Sequence, residues 1–202
     1  MAKEKNPAYG NKIRTGECFA NFPHLKEPDN GREYSDNKYK LDCIFINDAS
    51  MAGLKAECEA LAKINFGSIT DVKFPWKNGD EGNISKFQGY SGHMYITPKT
   101  GADKPPMVVG PNPKIAFDPS KIYGGAIIKA NITPKAYTMT DEVMVIQPDG
   151  IRVKEKVKTQ GITLYLNAVQ FVRDSERFGG GEDPTGGFDD ESNGAIDDNS
   201  GF

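Results

Sequence analysis

Residues 38–47 read KYKLDCIFIN, and their reading decides the fold class. Tyr39, Leu41, Cys43 and Phe45 fall on one face of an extended chain, with Lys38, Lys40 and Asp42 on the other. Successive side chains alternate across a strand, so this is a half-buried strand whose far end, with Ile44 and Ile46, is apolar on both faces. Upstream, GECFANFPHL (16–25) reads as its partner, and EPDNGREYSDN (27–37) between them is dense in turn residues, with Asn30–Gly31 as a hairpin signal. Downstream, a helix is predicted from Ser50 to Asn65. Asp48 or Ser50 caps it, Leu54, Cys58, Leu61 and Asn65 form its stripe, Glu59 precedes Lys63 by one turn, and Gly67 stops it.

Further along, GHMYITP (92–98), Pro106–Val109, IYGGAIIKANI (122–132) and GITLYLNAVQFVR (161–173) read as strands. DVKFPWKNGDEGNISK (71–86) lies in a long loop that carries the lone Trp76, and residues 135–158 hold an extra hairpin turning at Pro148–Asp149–Gly150. Several strands, one helix and Gly/Pro-rich connections predict a mainly β protein built on a small closed or partly closed barrel.

The formal charge of −3 hides an asymmetry. All 25 Lys and Arg lie at or before Arg177, while seven of the 28 acids (Glu182, Asp183, Asp189, Asp190, Glu191, Asp197 and Asp198) lie beyond Gly181. Residues 1–181 therefore carry 25 bases against 21 acids, or +4, and the rest carries −7. The split removes the objection that a near-neutral chain makes to a polyanionic partner. Residues 179–202, rich in Gly and acids and poor in aliphatics, read as a disordered tail. Residues 1–14, with Lys3, Lys5, Lys12 and Arg14, read as a basic flexible arm, and 15–178 as the folded domain.

Several classes fall away. No run of about 18 apolar residues predicts a transmembrane helix, and the amino-terminal MAKEKNPAYGNK has no apolar stretch of a signal peptide. Cys18, Cys43 and Cys58, odd in number and without CxxC spacing, read as reduced buried thiols. His24 and His93 are too far apart in sequence to suggest zinc. The run Gly179–Gly181 lacks the Lys–Ser/Thr of a phosphate loop and is followed by Glu182 and Asp183. The EF-hand-like opening at Asp189 has Ser200 where a bidentate Glu belongs. No metal, cofactor or catalytic constellation is expected.

Bases and aromatics interleave on the strand faces instead. His93, Tyr95, Thr97 and Lys99 share a side, as do Lys38 and Lys40, Lys129 and Asn131, and Tyr165 and Asn167. Such a face suits single-stranded nucleic acid: ammonium groups track phosphates while rings stack on exposed bases. The candidate contact residues are Lys38, Lys40, Tyr95, Lys99, Lys129, Tyr137 and Tyr165. The tail of opposite sign reads as a decoy that competes with nucleic acid for the basic face. Its Asp189, Asp190, Glu191, Asp197, Asp198 and terminal Phe202 are candidates for docking on a partner protein.

TGECFANFPHLKEPD (15–29), YKLDCIFIND (39–48), NAVQFVRDSERFGGGED (167–183) and the acidic tail closing on an aromatic carry a resemblance. In these the chain resembles the bacteriophage single-stranded DNA-binding proteins. The resemblance implies an oligonucleotide-binding (OB) fold of five strands and non-catalytic coating of single strands in replication, recombination and repair in the host cytoplasm. It further implies a tail that recruits polymerase and helicase–primase, and dimerisation through that tail. The helix, placed here after the second strand, follows the third in the usual OB fold. The alternative reading is a virion or assembly β-barrel whose acidic tail binds another structural subunit.

Overall fold

The computed structural model describes residues 6–30, 35–146 and 152–179. Ten strands and one α-helix follow along them. They are β1 (Ile13–Arg14), β2 (Cys18–His24), β3 (Lys38–Phe45), α1 (Ala49–Phe66), β4 (Val72–Lys73), β5 (Trp76–Asn78), β6 (Met94–Ile96), β7 (Lys99–Gly101), β8 (Met107–Val109), β9 (Ile127–Ile146) and β10 (Arg152–Arg173). Five of these close a ring. β2 pairs antiparallel with β3 and with β9, β3 with β7, and β10 with β9, while β7 and β10 pair in parallel. Going round the ring, the barrel strands run first, second, third, fifth, fourth. This is the predicted five-stranded OB barrel, with short strands β1, β4, β5, β6 and β8 added at its margins.

The alternation that betrayed β3 reports two cores. Leu41, Cys43 and Phe45 face the barrel interior with Ile96, Ile128, Ile132, Leu164, Leu166 and Val169. Ile44 faces outward, yet is buried in a second cluster with Tyr90 and Tyr95, against which Phe19, Ile84 and Phe178 pack. Each fully buried Ile or Leu contributes about 1.5–3 kcal/mol, so the first cluster dominates stability. Cys18, Cys43 and Cys58 are all buried and unpaired.

Helix α1 follows the second barrel strand, as the sequence indicates, and buries Met51, Leu54, Cys58, Leu61 and Ala62. Its start is held differently from expectation. Neither Asp48 nor Ser50 caps it; the Asn47 side-chain carbonyl accepts from the Ser50 amide at 3.0 Å and hydroxyl at 3.1 Å. Gly67 ends it at φ 74°, donating to the Lys63 carbonyl. Gly16 donates to the Ser50 carbonyl, and a Cβ there would lie 2.7 Å from the Ser50 Cα, so the crossing of β2 and α1 needs a glycine.

Three expectations change. Residues 6–14 do not fray: β1 pairs with β9, Tyr9 bridges Lys135, and Gly10 and Ala8 exchange backbone hydrogen bonds with Pro134 and Ala136. The loop containing Trp76 holds β4 and β5, because the edges of β10 and β6 leave backbone groups that these strands satisfy. The described residues 135–146 and 152–158 form no hairpin separate from the barrel. They prolong the barrel strands β9 and β10, which stay in register from Leu166–Ile132 out to Arg152–Ile146. The expected turn residues 148–150, and the tail residues Asp189, Asp190, Glu191, Asp197, Asp198 and Phe202, lie outside the described residues.

Candidate nucleic-acid interface

The base of the long hairpin, β7 and the β4–β5 segment enclose a groove of about 620 Å³. Lys40, Lys73, Lys77 and Lys99 line it, with Phe74, Tyr137, Thr97, Met139 and one carboxylate, Asp36. Phe74 is stacked on Trp76, centroids 4.4 Å apart and planes 9° from parallel, which holds that wall rigid. A Cβ on Gly161 would meet the Tyr137 hydroxyl at 2.6 Å, the ring carbon that bears it at 2.7 Å and the Lys73 carbonyl at 2.8 Å, so glycine here lets Tyr137 and β4 close on β10.

Asp36 organises the charge. It accepts from Lys40 and from Lys99, each at 3.0 Å, and Lys40 also reaches Asp29 at 2.7 Å. Burial alone would raise the Asp36 carboxyl, but the hydrogen bonds from Lys99 and Lys40 outweigh it and hold the group below its usual range. Burial pulls the Lys40 ammonium down, but Asp29 and Asp36 together outweigh it and hold the group above the usual lysine value. Among the described residues no carboxylate comes within ion-pair distance of Lys73 or Lys77. The groove therefore offers two ammonium groups without a carboxylate partner, Lys73 and Lys77, the latter 5.7 Å from the Tyr95 ring, and two that a phosphate must share with Asp36 and, for Lys40, Asp29.

Of the seven residues expected on the face, Lys40, Lys99 and Tyr137 meet in this groove. Lys38 lies two residues before Lys40 on the same side of β3, paired with Gly101. Tyr165 pairs in register with Lys99 and stacks with Tyr9 at 6.0 Å, while the Lys135 ammonium lies 5.1 Å from the Tyr9 ring and 5.7 Å from that of Tyr165. Lys129 stands apart, in a cleft of about 240 Å³ with Arg14, Asn131 and Gln170, and 3.9 Å from Glu17. Tyr95 is a correction: it is only 7% exposed, edge-on to Tyr90 at 5.0 Å. It does face outward, but Tyr90 folds over it and donates to Asp42, which also accepts from the Thr97 hydroxyl at 2.6 Å. Burial raises the Asp42 carboxyl above its usual range despite both hydrogen bonds.

Lys73, Phe74 and Lys77 line the groove, and Tyr9 and Lys135 surround Tyr165; none of the five was among the expected residues. The signal for the first three was present in DVKFPWK (71–77), where lysines flank two aromatics, but without strand alternation that segment read as loop. A further element is the free half of the hairpin. Beyond Tyr137–Gly161, residues 138–144 and 154–158 are exposed or nearly so, though still paired. Directly opposed residues share a face. One face therefore carries Lys154, Lys156 and Lys158 opposite Met144, Glu142 and Thr140, and the other carries Met139, Val143 and Val157.

The described residues contain no helix long and apolar enough to cross a membrane, and no group of three His, Cys, Asp or Glu placed to hold a metal. No curated protein matches the chain. Among solved structures, the single-stranded DNA-binding protein from bacteriophage Enc34 in complex with ssDNA is similar, at 18% identity and a TM-score of 0.58 over 87% of this chain and 96% of that one. A second structure of the same phage protein gives 18% identity and 0.56 over 90% and 94%. Its C-terminal truncation gives 18% and 0.57 over 87% and 95%. At that identity the likeness speaks for the fold, in agreement with the barrel order above. A family model described as Enterobacter phage Enc34, ssDNA-binding protein, matches residues 11–199. The match spans nearly the whole chain, which therefore belongs to this family of phage single-stranded DNA-binding proteins.

Proposed function

We propose that the protein binds single-stranded DNA without sequence preference, laying it in the groove between β7, the β4–β5 segment and the root of the β9–β10 hairpin. The observation that carries this reading is the convergence of Lys40, Lys73, Lys77 and Lys99 with Phe74 and Tyr137 in one groove of an OB barrel. OB folds bind oligonucleotides on the second and third strands and on the loops joining strands one to two and four to five, and this groove lies on that side. Lysines neutralise phosphates while rings accept bases, each stacked base contributing about 1–3 kcal/mol. Asp36 keeps Lys40 and Lys99 extended into the groove and gives them up to an arriving phosphate.

Within replication and recombination, the protein coats exposed strands and does no chemistry on them. Residues 179–202 supply the second half of the activity. Their seven acids compete with DNA for the groove, and on displacement Asp189, Asp190, Glu191, Asp197, Asp198 and Phe202 dock on replication proteins such as polymerase and helicase–primase, or on a second copy. Family membership and the charge split between body and tail support this reading.

The test is a titration of fluorescent oligo(dT) at two or more salt concentrations. Each phosphate contact to a single strand contributes about −0.7 to the slope of log K against log salt, so four groove lysines give roughly −3. Tight, salt-sensitive binding that prefers single strands to duplex is the expected result. Absence of binding at low salt would return the chain to the alternative of a virion or assembly protein.

A further inference from the structure

A second cleft adjoins the groove. It measures about 350 Å³ and shares Lys40 and Thr97 with the groove, so the two are continuous across β3. Its rim carries two exposed rings, Phe22 at 42% and Phe87 at 48% exposure, edge-to-face at 5.2 Å.

Neither ring is explained by folding. Both leave roughly half their surface in water, where a phenyl ring contributes little to stability. Phe22 is also held in an adverse backbone conformation. Its φ is 44°, in the left-handed region that non-glycine residues avoid, at the irregularity of β2 between Asn21 and His24. The surroundings enforce it. The Phe22 amide donates to the Asn21 side chain at 3.0 Å, and the Phe22 ring lies 6.4 Å from the buried Tyr90, within 25° of parallel. Tyr90 is itself fixed by donating to Asp42. An aromatic that is strained, exposed and supported from beneath is presented to something.

The geometry points to a base-stacking subsite on Phe22, edged by Phe87, that takes one nucleobase of the single strand whose phosphates lie along Lys40 and Lys99. The inference rests on the DNA-binding reading above and extends the path past β3 toward β2. Lys40 and Thr97 line both clefts, and the second adds the carboxylates Asp29 and Asp42, so it suits an uncharged base of the same strand and not a phosphate. His24, at the same rim and 3.9 Å from Asp29, flanks the base.

The test uses the full chain and oligo(dT), with Phe22→Gly, Phe22→Tyr and Phe87→Leu. Phe22→Gly removes the ring and relieves the backbone. It is expected to weaken binding about tenfold, leave the salt slope unchanged because no phosphate contact is lost, and keep or raise the thermal midpoint. Phe22→Tyr, which keeps a ring, binds as the parent does, and Phe87→Leu weakens binding severalfold. Affinity unchanged in Phe22→Gly, or lost together with part of the salt slope, overturns the subsite. If Phe22→Gly does not fold, Phe87→Leu decides by the same readouts. A parent protein that binds no oligo(dT) contradicts the DNA-binding reading itself, so the two failures are distinguishable.

Discussion

The two halves of the β9–β10 hairpin share strands and ladder but not the forces that keep them in place. In the barrel half, Ile128, Ala130, Ile132, Leu164, Leu166 and Val169 point into the core and are at most 3% exposed. In the free half the core-facing side continues into Thr140, Glu142, Lys154, Lys156 and Lys158, so the apolar alternation is lost, and Met139, Val143, Met144 and Val157 are 38–58% exposed. Backbone pairing and weak cross-strand contacts hold it, and an isolated two-stranded ribbon is marginal in water. Its nine residues per strand reach about 30 Å from the barrel at roughly 3.3 Å per residue. The projection does little for the core, and one of its faces carries Lys154, Lys156 and Lys158 with Glu142, which pairs with Lys154 at 3.5 Å.

That contrast can be broken most forcefully in the core. Leu164→Ala in the barrel half is expected to cost about 2–5 kcal/mol in chemical denaturation, whereas Val157→Ser in the ribbon stays within about 0.5 kcal/mol. Equal losses would mean that the ribbon packs as the barrel does. Reversing the ribbon's charge with Lys154→Glu, Lys156→Glu and Lys158→Glu together reads the other side. The melting curve should barely move while oligo(dT) affinity at low salt falls tenfold or more; unchanged affinity would confine DNA to the barrel.

A smaller effect is expected at Asp36. Asp36→Asn releases Lys99 and leaves Lys40 paired with Asp29 alone, so affinity should rise a few fold at low salt and converge with the parent at high salt. The same substitution has a pH signature. A carboxylate held below its unfolded value stabilises the fold above that value and loses the contribution as pH falls through the folded one. The stability difference between parent and variant should therefore be present at neutral pH, begin to shrink as pH falls past the ordinary aspartate value of 3.8 and vanish only below the lower folded value, remaining small because solvent reaches the pair. Tyr95→Phe should change DNA affinity less than twofold, since its ring is covered by Tyr90.

Much of this architecture was legible in particular residues. KYKLDCIFIN alternates because one side of β3 faces the barrel, and the stripe from Leu54 to Asn65 repeats because α1 lies on it. Position along the chain also placed the helix after the second barrel strand. What stayed hidden depends on contacts distant in sequence. Tyr95 has the outward parity of a DNA-binding residue, but Tyr90, brought back by the segment after β5, covers it. Lys73 and Lys77 sit beside Lys99 only because β4 pairs with β10 and β5 with β6. The ribbon read as a separate hairpin since both its faces meet water and the apolar alternation of its root fades. Phe22 belongs to a strand whose local pattern says nothing of its left-handed backbone.

The central claim is that single-stranded DNA lies against the groove lysines, and the salt dependence of oligo(dT) binding tests it most directly. Replacing Lys73 and Lys99 together by alanine removes two phosphate contacts, so the slope of log K against log salt should become shallower by about 1.4, with the fold intact. A slope equal to the parent's, in a folded double variant, would contradict the account.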